Sequence, residues 1–412
     1  MDTKSAQKRN LTAIKLLTFL MFTMFAMTTD SVGKIIDEVM KQYELSHFAA
    51  GALHYGPMTA IALAGIFLGF LADKLGRKKT IILGLVIFAL NSYLFVVGNN
   101  FWYFVTLLVI SGAAIGIFKT GSLALIGDIT VSTSEHTRTM NTLEGFSGVG
   151  AIIGPAIVTA LLVKGLSWKW LYVIAGGICT ILIIIAVLVK YPSTIKSVDE
   201  PINFKRTMRM MKNPYALGFS IAIFLYVAAE CAIYVWMPSL LENYEGPYLK
   251  MAAYALSIFF ILRAAGRFLG AWVLKKFEWT LVMVVFSMAI FICFAGSVAG
   301  GLSWAIWLLP LSGLFMSMIY PTLNSKGISC FPKAEHGAVS GVILFFTCTA
   351  AALGPLVMGV VSDIFHDTKY GFVFATVFAA LLFVGLFSNW IYDPAKKRLA
   401  MLDSSEYSTT KS

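Results

Sequence analysis

Apolar residues fill long runs along this chain, and polar residues are confined to the gaps between them. The runs fall near residues 12–37, 47–72, 79–98, 102–128, 139–164 and 167–190, and again near 215–241, 249–276, 279–299, 302–329, 337–363 and 369–392. A helix that crosses a bilayer needs about 20 apolar residues, so each run predicts one spanning helix. One gap is long: residues 191–214, carrying Lys196, Lys205, Arg206, Arg209 and Lys212. The expected fold is an all-α polytopic membrane protein with twelve transmembrane helices in two pseudo-symmetric six-helix bundles. The predicted sections are a bundle over 1–190, a linker over 191–214, a second bundle over 215–393 and a tail over 394–412.

The two sets of runs repeat one another. Ser111-Gly112, Lys119, Glu135-His136 and Gly154-Pro155 follow in order in the first half. Ser312-Gly313, Tyr320, Glu335-His336 and Gly354-Pro355 follow in the second. Two dipeptides recurring at the same separation suggest a duplicated unit of six spans. The polar stretches around His136 and His336 read as solvated loops.

Composition narrows the class. The 412 residues are 58% hydrophobic and 13% charged, against about 25% charged in soluble domains. This excludes a water-soluble globular enzyme, a disordered chain and a disulfide scaffold. Cys179, Cys231, Cys293, Cys330 and Cys348 are scattered through apolar runs without ligand spacing, and read as reduced packing residues. Lys4, Lys8 and Arg9 precede an apolar run long enough to span, with no small-residue cleavage site after it, so a first helix is expected there rather than a signal peptide.

The net charge of +11 is carried in short loops. Lys74, Arg77, Lys78, Lys79, the linker, Lys275-Lys276 and Lys396-Lys397-Arg398 fall on one side if the spans alternate. Asp37, Glu38, Glu44, Glu242, Glu245, Asp363 and Asp367 fall on the other. The positive-inside bias then places both termini in the cytoplasm. Basic residues in this arrangement indicate a lipid bilayer and no nucleic acid. No P-loop and no zinc or haem spacing occurs, so no cofactor or metal is expected and ATP is not the driving force.

The most specific local signal is Gly69-Phe-Leu-Ala-Asp73-Lys-Leu-Gly76-Arg77-Lys78-Lys79. Gly69 allows close helix contact and Gly76 a tight reversal. Asp73, near a helix terminus, can accept backbone N–H groups or pair with a cation. The stretch resembles the GxxADxxGRK loop of the major facilitator superfamily. The resemblance implies a secondary transporter working by alternating access, with Asp73 and Arg77 in a gating latch. Gly266-Arg267-Phe-Leu-Gly270-Ala-Trp272 is a degraded counterpart with no acid where Asp73 would map, which predicts an asymmetric latch. Gly145, Gly148, Gly150, Gly154 and Pro155 resemble the Gly-Pro motif of exporter branches; close packing through small residues accounts for them equally well.

Ionisable side chains within spans are functional candidates. Asp30, Glu144 and Glu230 are the candidate proton-coupling acids. Helical spacing puts Thr23, Met27 and Lys34 near the face of Asp30, and a carboxylate in a partly dry cavity can take up and release a proton. Lys119 can pair with Asp30 or Glu144, or hold an anionic substrate. Tyr226 and Tyr234 share a helical face with Glu230, and an acid beside aromatic rings suits a sugar. Trp236, Arg263, Tyr320, Asn324, Lys326 and His54 complete the candidate substrate-binding set, with Pro321 breaking its helix beside Tyr320.

Phe224 through Trp236, Ile319 through Asn324 and Gly266-Arg267-Phe268 resemble the fucose-permease-like branch of sugar/proton symporters. Lys119 stands where that branch has an acid, which admits a sugar acid as well as a neutral sugar. The expected function is proton-coupled uptake of a sugar or sugar-like metabolite, neutral or acidic, by a monomer in a cell membrane, of the bacterial inner-membrane kind. Its partners are then a small-molecule substrate, protons and lipid. The alternatives are a proton-driven drug or metabolite exporter and an organic-anion transporter.

Overall fold

The computed structural model describes residues 3–45, 51–193, 204–242 and 244–407. Lys196 and the rest of 194–203 lie outside the described residues. The described elements are helical, with no strand among them. In the first half they are α1 (Thr3–Thr29), α2 (Val32–Tyr43), α3 (Ala52–Leu68), α4 (Leu71–Lys74), α5 (Arg77–Tyr93), α6 (Phe101–Asp128), α7 (Thr133–Val163) and α8 (Trp170–Leu188). After the short α9 (Phe204–Met210) come α10 (Pro214–Leu241), α11 (Leu249–Lys276), α12 (Trp279–Gly300), α13 (Leu302–Met316) and α14 (Ile319–Ser329). The last are α15 (His336–Phe365), α16 (Thr368–Tyr392) and α17 (Lys396–Leu402).

Among the described residues, eleven helical segments are long and apolar enough to cross a membrane, and α3 is a shorter apolar helix. They match the twelve runs of the sequence. Among the described residues, the first span is interrupted by a turn at Asp30–Ser31 between α1 and α2, and the tenth at Ser317–Met318 between α13 and α14. The second break lies just before Pro321, whose ring nitrogen cannot donate to the carbonyl of Ser317.

The chain forms two compact units. One holds residues 1–131, 146–213 and 331–348; the other holds 132–145, 214–330 and 349–412. Each half of the sequence thus lends the opening turns of one long helix, α7 or α15, to the unit built mainly from the other half.

In the first unit, α6 packs on α3 and α5, and α8 packs on α5 and α1. Lipid gives no hydrophobic drive for helices to associate, so small residues that let backbones approach do much of the work. Gly150 and Gly154 of α7 lie against the Thr23 and Met27 carbonyls of α1, so these two glycines serve close packing. Gly341 of α15 lies against the backbone of Gly65 and Gly69. In the second unit, α11 and α12 pack on α13, and α16 packs on α10 and α12.

The expectation of solvated histidines is corrected. His136 and His336 are both fully buried. The polar stretches they belong to open the helices α7 and α15. His136 Nδ1 lies 2.6 Å from Ser325 Oγ in the second unit. In the first unit His336 Nε2 lies 3.1 Å from the Phe331 carbonyl, with its ring against Gly127. All five cysteines are free and buried, as expected.

The glycine contact can be tested. A Cβ on Gly341 would meet backbone atoms of Gly65 and Gly69, which cannot swing aside, whereas one on Gly218 would meet nothing within 4 Å. Gly341→Ala should therefore cost about 1–3 kcal/mol by overpacking. Gly218→Ala should be neutral or slightly stabilising, since alanine is the better helix former. Thermal unfolding of the two purified variants in one detergent reads the difference; equal midpoints would refute the close approach.

Candidate functional site

In the first unit the chain reverses at Gly76, whose φ of 92° is open to glycine, and enters α5 with Arg77 in its first turn. Arg77 is buried and every arm of its guanidinium is used. It donates to the Asp73 carboxylate, to the Ala72 carbonyl at 2.9 Å, to Asp128 Oδ2 at 2.9 Å and to the Lys333 carbonyl at 2.6 Å. Asp73 in turn accepts from the Gly337 and Ala338 amides at 2.9 and 2.8 Å. These are first-turn N–H groups of α15, which have no partner within the helix and attract a negative charge. Burial pushes the Asp73 carboxyl up to about 6, against the pull of Arg77 and the two amides. Arg77 is shared with Asp128, so one cation serves two acids.

In this cluster Asp73 thus both pairs with a cation and accepts backbone N–H groups, and Gly69 lies against α15. Asp128 is a member that the sequence reading passed over; its signal was an acid at the end of an otherwise apolar run.

The second unit holds the other charged set. Tyr226 and Glu230 stand one turn apart on α10, and Arg263 and Arg267 one turn apart on α11. Arg263 Nε lies 2.7 Å from Glu230 Oε1. Tyr226 places its hydroxyl against the same carboxylate oxygen and 2.9 Å from the Met316 carbonyl. Arg267 reaches Glu144 twice, its side chain at 3.5 Å and its carbonyl at 3.0 Å. Arg267 also feels Glu230 and Arg263 electrostatically. Two acids and two arginines form one buried group with no net charge. The acid missing from the degraded motif around Arg267 is therefore supplied by Glu144, from the segment 132–145. Beside it, Asn141 donates to Thr322 Oγ1 at 3.2 Å.

Other candidates lie elsewhere. Tyr234 contacts Cys231 Sγ at 2.6 Å, and its ring stays near the Glu230 charge. Trp236 donates to the Pro355 carbonyl at 3.1 Å and lines a cleft of about 820 Å³ with Ser362, Asp363, His366 and Asp367. Asn324 and Tyr320 touch at 3.4 Å on α14. Lys326 sits 5.6 Å from the Trp279 ring centroid and interacts with Asp393 and Asp403, residues that follow the last span.

In the first unit, Lys119 Nζ lies 6.0 Å from the Phe22 ring centroid; Glu144, one of the two acids considered for it, is held by Arg267. His54 packs edge-on to Tyr55, their ring centroids 5.8 Å apart. Asp30, in the turn at Asp30–Ser31, and Lys34, beyond it, are both exposed. The turn keeps a helical bond, from the Asp30 amide to the Ala26 carbonyl at 3.0 Å.

Comparison with known proteins agrees with this architecture. The Major Facilitator Superfamily profile matches residues 16–355. The L-fucose-proton symporter of Escherichia coli (strain K12) is 24% identical over 380 residues, 83% of this chain and 85% of that protein. Multidrug resistance protein 2 of Bacillus subtilis (strain 168) is 23% identical over 387 residues, 90% of this chain and 94% of that protein. A crystal structure of the E. coli fucose:proton symporter aligns with a TM-score of 0.76 at 21% identity, covering 92% of this chain and 98% of that one. Twelve apolar spans, the Gly69–Lys79 motif and a profile match over most of its length make one statement: the chain belongs to the major facilitator superfamily of membrane transporters.

Proposed function

We propose that this transporter takes up a neutral, sugar-like solute together with protons, in the bacterial inner membrane and with both termini in the cytoplasm. The observation that carries this reading is the buried, charge-balanced group of Glu144, Glu230, Arg263 and Arg267 with Tyr226 beside it. Its charges cancel, so the group offers no standing field to draw an anion. It does offer a carboxylate, guanidinium N–H groups and phenols, which exchange hydrogen bonds with hydroxyls.

Coupling follows from burial. A solute hydroxyl that takes over the donors of Arg263 leaves Glu230 without its counter-charge. Stranding one member of a buried pair costs about 3–5 kcal/mol, and a proton on Glu230 removes that cost. Solute binding and proton binding then depend on each other. The likeness to the fucose-proton symporter supports the solute class and the proton.

The helices of 1–190 and of 215–393 act in this reading as the two moving bundles. The latch on α15 is then the contact that must let go, because its amides belong to the second bundle while Asp73 and Arg77 belong to the first. Export by proton antiport is the second reading, favoured by the likeness to multidrug resistance protein 2. Unchanged growth of an expressing strain across a broad panel of toxic compounds would count against it.

Three outcomes are expected. A thermal-shift screen should find stabilisation by neutral hexoses and none by the matching uronic acids; the reverse would overturn the charge argument. In vesicles with an inward proton gradient, Glu230→Gln should abolish accumulation of the stabilising hexose yet keep counterflow, while Asp30→Asn keeps most accumulation. Loss with Asp30→Asn alone would move coupling to the exposed acid. The third concerns pH. The closed latch holds Asp73 at about 6, above the ordinary aspartate value near 3.9, so the closed form binds the proton more tightly. Its contribution to closure is full below about pH 4 and fades as pH rises through about 6. Amide exchange over 333–340, corrected for intrinsic pH dependence, should slow on going from pH 7 to 5, and Asp73→Asn should remove that response.

A further inference from the structure

Tyr226 stands between two acceptors with one proton to give. Its hydroxyl meets Glu230 Oε1 on one side and lies 2.9 Å from the Met316 carbonyl on the other. While Glu230 is ionised, both neighbours only accept, so the phenol serves one of them at a time. The carboxylate, being charged, makes the stronger bond and holds the proton. Once Glu230 takes up a proton, its own O–H donates to the Tyr226 oxygen. The phenolic proton is then free to turn to Met316, and all three oxygens are satisfied.

The carbonyl at the far end of this chain has a particular place. Met316 is the last residue of α13, and the span resumes as α14 only at Ile319. Pro321 follows, so this stretch of backbone lacks one of its helix donors. Among the described residues, the titratable groups around Glu230 are Arg263 and Arg267 of α11, Glu144 of the segment 132–145, and Tyr226, Cys231 and Tyr234 of its own helix. From α13 the contact is the Met316 carbonyl.

We propose that Tyr226 is a positioning residue that transmits the protonation of Glu230 to the break in the tenth span. With Glu230 ionised and paired to Arg263, Tyr226 is turned to the acid and the break is loose. With Glu230 protonated, Tyr226 is turned to Met316 and the break is clamped. The only proton gained is the one Glu230 takes from the medium; that of Tyr226 changes acceptor and stays on its own oxygen. This inference rests on the reading of Glu230 as the proton-carrying group.

The test follows acid and break separately, on the full chain in lipid nanodiscs between about pH 5 and 9. Infrared difference spectra monitor a protonated carboxyl band that is absent in Glu230→Gln. Hydrogen exchange, corrected for intrinsic pH dependence, monitors the amides of residues 317–320. In the wild type, protection there should rise about fivefold as the band appears, the worth of one hydrogen bond. In Tyr226→Phe the band should remain while protection no longer follows pH. In Glu230→Gln, permanently uncharged, protection should stay high at every pH, which tests the relay even if the tyrosine variant fails to fold. Protection that tracks pH equally in Tyr226→Phe overturns the relay, as does a wild-type band with no response at 317–320. Absence of any Glu230 band across the range overturns the coupling reading and the relay together.

Discussion

A charged side chain buried among apolar helices requires a counter-charge beside it, because leaving water costs several kcal/mol per ion and only a well-placed partner returns it. Arg77, Arg263 and Arg267 meet that requirement, and each takes at least one acid from a different element: Asp128 of α6, Glu230 of α10 and Glu144 of α7. The bonds that neutralise charge are therefore also the bonds that fix helices against one another. In a membrane this matters more than it would in water, since apolar surfaces have little preference between lipid and a neighbouring helix. It also makes these contacts natural points of conformational control: whatever removes one partner strands the other.

The repeat in the sequence survives in topology and is inverted in chemistry. Residues 331–348 pack in the first unit and residues 132–145 in the second, at corresponding places in the two halves. In the first unit a loop carboxylate, Asp73, accepts amide protons from the start of α15. In the second a cation, Arg267, donates to the carbonyl and carboxylate of Glu144. One joint uses the positive end of a helix dipole and centres on a buried acid. The other is an arginine–glutamate pair that is not tied to a helix start. In the transport cycle proposed above, two joints of different chemistry need not open together, and alternation between two access states asks for that.

The spans were legible because a run of about 20 apolar residues has few other fates. Gly76 and the Asp73–Arg77 pair were legible because they lie within five residues of one another and their chemistry is local. The partner of Arg267 was not legible for the opposite reason: Glu144 arrives from a helix more than a hundred positions earlier, and no local pattern encodes that meeting. His136 and His336 were misread because short polar stretches look like loops, whereas here they are helix starts buried against Ser325 and Gly127.

The same distinction bears on substrate chemistry. Counting cations along the spans points to an anionic solute, since Lys119, Arg263 and Lys326 all lie within apolar runs. The structure changes what that count means. Arg263 is committed to Glu230, and Lys326 belongs with Trp279 and the two aspartates beyond the last span. In the function proposed above, affinity for a solute at the Glu230 group comes from exchanging hydrogen bonds within a balanced set, not from net charge. Such exchange is close to neutral in free energy for each bond, so selectivity falls to geometry: hydroxyls must reach Arg263 and Glu230 at once. A ring bearing several hydroxyls in fixed directions meets that demand, because it replaces every bond it breaks.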